Sequence, residues 1–121
     1  MRKIDETVMN AVMRSDNLSM GNTQVITEGD STSVRVHGNL IARIGSFGYW
    51  VLDTCGWDTD ITIRRMNAVC QGASIPIVVR IRNGKTQFMH KGIVIKQGSR
   101  LAHDEAKRLY AEIITKKEVK S

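Results

Sequence analysis

The spacing of apolar residues changes several times along the chain, and each change marks an element. Over Arg2–Arg14 apolar residues recur at helical spacing: Ile4, Val8, Ala11 and Val12, with Met9 and Met13 widening the stripe. Asp5 and Glu6 stand in the first turn, where the helix dipole favours negative charge. Asn17–Asn22 holds a glycine and few apolar anchors, and reads as a connection. The period then drops to two. Gln24–Thr27 reads as a short strand, and in Thr32–His37 Val34 and Val36 alternate with Ser33, Arg35 and His37. His37-Gly38-Asn39 is a turn, Leu40–Ile44 returns, and Tyr49–Asp53 follows the glycine-punctuated Gly45-Ser46-Phe47-Gly48.

Helical spacing resumes after Trp57. Asp58 or Thr59 can cap a helix whose stripe is Met66, Val69, Cys70 and Ala73, with Gly72 as its stop. Asn83-Gly84 is the favoured pair for a type I′ turn, and a two-residue turn there fixes the register: Arg82 opposite Lys85, Ile81 opposite Thr86, Arg80 opposite Gln87, Val79 opposite Phe88. Ile77, Val79, Ile81, Thr86 and Phe88 then share one face, and Arg80, Arg82, Lys85 and Gln87 the other. Ile93–Lys96 reads as a further strand, and Ala102, Ala106, Leu109, Ile113 and Ile114 as the buried side of a last helix.

Together these predict one α+β domain over residues 1–121. Its antiparallel sheet comprises a meander over about 23–53, a hairpin over 76–90 and a strand over 93–97. An N-terminal helix, a central helix over 59–71 and a C-terminal helix over 101–117 pack with it.

Composition narrows the classes. A hydrophobic fraction of 41% with 25% charged residues suits a folded domain and excludes a disordered one. Apolar runs such as Ile77-Val78-Val79 are far short of a membrane span, and Met1–Glu6 leads into no apolar stretch of the kind a signal peptide needs. Cys55 and Cys70 form no CxxC pair and are expected as free thiols in a reducing compartment.

The net charge of +6 matters less than its distribution. From Ile61 to His103 there is no Asp or Glu, while the stretch holds eight Arg and Lys residues. Arg80, Arg82 and Lys85 share the hairpin face, Arg64 and Arg65 start the central helix, and Lys91 follows the hairpin. These six are the candidate anion- or nucleic-acid-binding residues, because phosphates are met by clustered Lys and Arg. Tyr49 and Trp50, in the aromatic cluster Phe47–Trp57, are candidates for stacking on unpaired bases, although alternation buries at least one of the two.

Other chemistry finds little purchase. His37, His90 and His103 lack Cys or carboxylate neighbours at ligand spacing, so no metal is expected. Nothing marks Cys55 as activated, and no glycine-rich phosphate loop precedes a lysine. Neither a catalytic centre nor a cofactor is expected.

The run His37-Gly38-Asn39-Leu40-Ile41-Ala42, then Asp53-Thr54-Cys55-Gly56-Trp57, then Thr59 through Arg65-Met66-Asn67-Ala68 resembles a family of small proteins of tailed bacteriophages. Their pattern is HGN-x-IA, a GW turn, and a Thr-rich helix start ending in R-[LM]-N-A. The resemblance covers about residues 34–69; Asp60-Ile61-Thr62-Ile63 departs from it, and the basic hairpin lies outside it. It implies a phage accessory protein acting in the host cytoplasm, and brings no activity with it. The expected partners are accordingly nucleic acid, met by the basic hairpin face, or alternatively a host bacterial protein such as an enzyme of transcription or anti-phage defence. A second copy of the chain, paired through an uncovered sheet edge, is a third expectation.

Overall fold

The computed structural model describes the backbone of residues 1–120 and the side chains of residues 1–117. Helix α1 (Lys3–Arg14) buries Val8, Ala11 and Val12, as its spacing requires, and ends on Ser15 in the left-handed region. Strands β1 (Leu18–Met20), β2 (Thr23–Glu28), β3 (Ser31–Val36), β4 (Asn39–Ile44) and β5 (Trp50–Asp53) follow, with a 3₁₀ turn at Ser46–Gly48. Helix α2 (Asp60–Gly72) comes next, then β6 (Val78–Arg82), β7 (Lys85–His90), β8 (Ile93–Gln97), β9 (Arg100–Ala102) and helix α3 (His103–Lys120).

The architecture is α+β, with N-terminal, central and C-terminal helices where the periodicity places them. The strands, however, form two antiparallel sheets. The larger has the order β1-β2-β3-β4-β5-β9 and the smaller β6-β7-β8. Two strands have no counterpart in the sequence reading. Leu18–Met20, expected as a connection, extends the large sheet beside β2, and Arg100–Ala102, whose last two residues are expected as the first turn of the C-terminal helix, instead pairs with β5 through Val51–Ala102, Leu52–Leu101 and Asp53–Arg100. Three residues are too few to show a period.

The core lies between the large sheet and the α1–α2 pair. Val25, Val34, Ile41, Leu52 and Leu101 meet Val8, Met66 and Val69 there, all at 1% exposure or less. Helix α2 continues to the inner face of the small sheet, where Val79 and Phe88 are buried. Asn67 ties the two elements together: its Nδ2 donates to Val79 O and its Oδ1 accepts from Val79 N, both at 2.8 Å. One amide side chain thus supplies the pair of bonds that a neighbouring strand would give β6.

Two capping expectations sharpen. Thr59, rather than Asp58, caps α2 by accepting from Thr62 N, while Asp58 accepts from Thr86 Oγ1 on β7. Helix α2 ends at Gly72 as expected, and the positive φ falls on Ser74, two residues later. Gly72 lies against α1, where a Cβ would clash with the Met9 carbonyl. Trp57 is 56% exposed; its backbone N–H bonds Thr54 O in the turn that precedes α2. Helix α3 packs lightly: of its expected face only Ala106 is buried, with Leu109, Ile113 and Ile114 half-buried and Ala102 in β9.

Candidate functional site

The hairpin of β6 and β7 turns at Asn83 (φ 54°) and Gly84 (φ 73°). Both lie in the left-handed region that a type I′ turn needs and that Asn and Gly best tolerate. The register is the expected one: Arg82–Lys85, Ile81–Thr86, Arg80–Gln87, Val79–Phe88 and then Val78–Met89. Strand β8 adds Gln97 opposite Gln87 and Val94 opposite Met89, with a shift of register between Phe88 and Met89.

Because cross-strand partners share a face, the outer surface of the small sheet has three rows. Val78, Met89 and Val94 form the first. Arg80, Gln87 and Gln97 form the second, where Arg80 Nε donates to Gln87 Oε1 at 2.9 Å and Gln87 Nε2 to Gln97 Oε1 at 3.2 Å. Arg82 and Lys85, both exposed, face each other in the third. Among the described residues no carboxylate stands in any row, and none of the three cations has an ion-pair partner. Gln97 was not legible as part of it, since the shifted register of β8 has no signal in the sequence.

The other predicted cations lie elsewhere. Arg65 is 5% exposed; its Nη1 donates to Asp5 Oδ1 at 2.5 Å and its Nε to Thr23 Oγ1 at 3.1 Å. Arg64 pairs with Asp60 and approaches Asp5 at 3.7 Å. Both therefore leave the candidate surface, because Asp5, distant in sequence, pairs with Arg65 and approaches Arg64, and Asp60, one turn earlier on the same helix, pairs with Arg64. Lys91, at the far end of the hairpin, holds its Nζ 5.6 Å from the centre of the Tyr110 ring on α3. It belongs to a different surface from Arg82 and Lys85.

The two stacking candidates separate. Trp50 is 4% exposed and covered by the His103 ring, with centroids 5.2 Å apart and planes at 21°, so it offers no face to a passing strand. Tyr49 is partly exposed and tilted against the same imidazole. Phe47 is fully exposed, with φ of 60°, at the tip of the β4–β5 connection.

The cysteines are free, Cys55 exposed and Cys70 buried. Burial pushes the Cys70 thiol up to about 12. Partial burial, then the Asp53 carboxylate, raises the Cys55 thiol against the opposing charge of Arg35. Its Sγ donates to Leu40 O at 3.3 Å. A raised thiol is the reverse of an activated nucleophile. Among the described residues no three His, Cys, Asp or Glu side chains gather to hold a metal ion.

What these features define is a small α+β protein whose smaller sheet has a basic outer face. A family model described as Kyanoviridae Gp96 protein matches residues 1–107. The chain belongs to that family. The match takes in the whole basic hairpin, so the family extends well beyond the central stretch that carried the sequence resemblance. No curated protein and no solved structure matches. No helix among the described residues is long and apolar enough to cross a membrane.

Proposed function

We propose that this protein is a non-catalytic accessory protein that binds nucleic acid in the cytoplasm of the infected host, through the outer face of the small sheet. The observation that carries this reading is the Arg82–Lys85 pair. Like charges directly opposite each other on antiparallel strands destabilise a hairpin, and among the described residues neither Arg82 nor Lys85 is ion-paired with a carboxylate. Arg80 adds a third cation one row away, held in place by Gln87. A polyanion would relieve that repulsion and meet all three at once.

Fluorescence anisotropy with labelled single-stranded DNA, duplex DNA and RNA tests it. With about three phosphates neutralised, affinity falls roughly 20- to 40-fold between about 50 and 200 mM salt. The double substitution R82E/K85E abolishes binding. Absent binding, or binding indifferent to salt and to R82E/K85E, overturns the reading. Capture of a host protein from bacterial lysate that persists after nuclease treatment would favour a protein partner instead, for which exposed Phe47 is the most prominent contact.

A further inference from the structure

Where the two sheets meet, a groove of about 300 Å³ opens beside α3. Trp50, Ile77 and Ala106 form its buried lining, His90, His103 and Tyr110 its half-buried lining, and Pro76 and Lys107 its exposed rim. Its aromatic groups are ordered by one another. His103 lies nearly parallel on Trp50, and Tyr110 meets His90 edge-on, with centroids 4.4 Å apart and planes at 89°. His90 Nδ1 lies 2.8 Å from Pro76 O. A carbonyl only accepts, so Nδ1 carries the proton and Nε2 is left for another partner.

The charge that lines this groove has one sign: Lys107 lines it, Lys91 sits over Tyr110, and among the described residues no carboxylate lines it. Glu105, the acid nearest in sequence to Lys107, bonds Lys96 at 2.8 Å. The matching ligand has a flat π-face, a hydrogen-bonding edge and a negative charge alongside. A volume at the low end of the roughly 300–1,000 Å³ range of small-ligand pockets suits one base with its phosphate better than a larger cofactor.

We propose that the groove binds a nucleotide, its base against the Tyr110 and His103 rings and its phosphate toward Lys107 and Lys91. The site stands at the opposite end of the small sheet from Arg82 and Lys85, and is independent of the reading given above for that face. The nucleotide is either free or an unpaired residue of a strand, and the chemistry is the same.

Trp57→Phe leaves Trp50 as the one tryptophan reporter. In that background AMP, GMP, CMP and UMP are titrated against fluorescence, with ribose 5-phosphate as the baseless control and single-stranded oligonucleotides as a second arm. At least one mononucleotide quenches Trp50 saturably, ribose 5-phosphate does not, and Tyr110→Ala and Lys107→Glu each weaken binding about tenfold. Quenching by oligonucleotides alone, sensitive to the same two substitutions, assigns the groove to a base within a strand. Mononucleotide binding that survives R82E/K85E supports the groove whatever becomes of the hairpin face. No quenching in either arm, or quenching indifferent to both groove substitutions, overturns the proposal. If thermal unfolding shows Tyr110→Ala to be misfolded, Lys107→Glu, at an exposed position, decides.

Discussion

Asp5 and Asp60 each face Arg64, in opposite surroundings. The Asp60 side chain is 80% exposed and pairs one turn along the same helix, whereas Asp5 is buried and also receives Arg65 from the protein interior. An exposed helical pair adds little, while removing one member of a buried pair strands the other charge away from water. Asp5→Asn is therefore expected to lower stability by about 3 kcal/mol or more, and Asp60→Asn by no more than about 0.5 kcal/mol, in urea unfolding of the two variants. The comparison also separates the two arginines from the basic hairpin: they serve the fold, whereas the neutral replacement R82Q/K85Q should leave the unfolding midpoint unchanged or raise it slightly, since it removes the like-charge pair of Arg82 and Lys85.

The contact between α1 and α2 depends on an absent side chain. At Gly72 a methyl group would clash with the Met9 carbonyl and lie 3.2 Å from Val12 Cβ. Alanine gains about 1 kcal/mol in helix propensity over glycine, but overpacking costs about 1–3 kcal/mol when the obstacle is backbone. The obstacle wins: Gly72→Ala should be net destabilising by about 1 kcal/mol, seen as a lower thermal midpoint. Helix α3 is held by a different device. Glu105 Oε1 accepts from Ala102 N at 3.2 Å and Oε2 from Lys96, so one carboxylate secures the helix start and joins it to β8. Burial acts to raise this carboxyl, but the Lys96 and Ala102 hydrogen bonds and the charges of Lys96 and Arg108 outweigh it and hold it below the usual value. A lowered folded value means stability that is present above the ordinary carboxylate range and is lost as pH falls through the folded value. Urea midpoints followed from about pH 6 down to about pH 3 should decline more steeply in the native chain than in Glu105→Gln.

Across the whole molecule, what could be read from the sequence was whatever rests on local rules. Asn83-Gly84 fixed a register that alternation then confirmed strand by strand, and the stripe of α1 needed only its own spacing. Long-range pairings left no such trace. Arg65 looks like any surface arginine until Asp5 arrives from sixty positions upstream, and nothing in Val78–Gln97 announces that its strands form a sheet of their own. The groove was invisible for the same reason, since Trp50, His90, His103 and Tyr110 come from three separate elements. The β8–β9 passage carries a further consequence. Only Gly98 and Ser99 separate a strand of one sheet from the outermost strand of the other. While the chain is being synthesised, the β5 edge must wait, unpaired, until the small sheet has emerged and β9 follows it. A ribosome that stops short of Arg100 would release a chain with Trp50–Asp53 exposed along one side, an invitation to join its neighbours edge to edge.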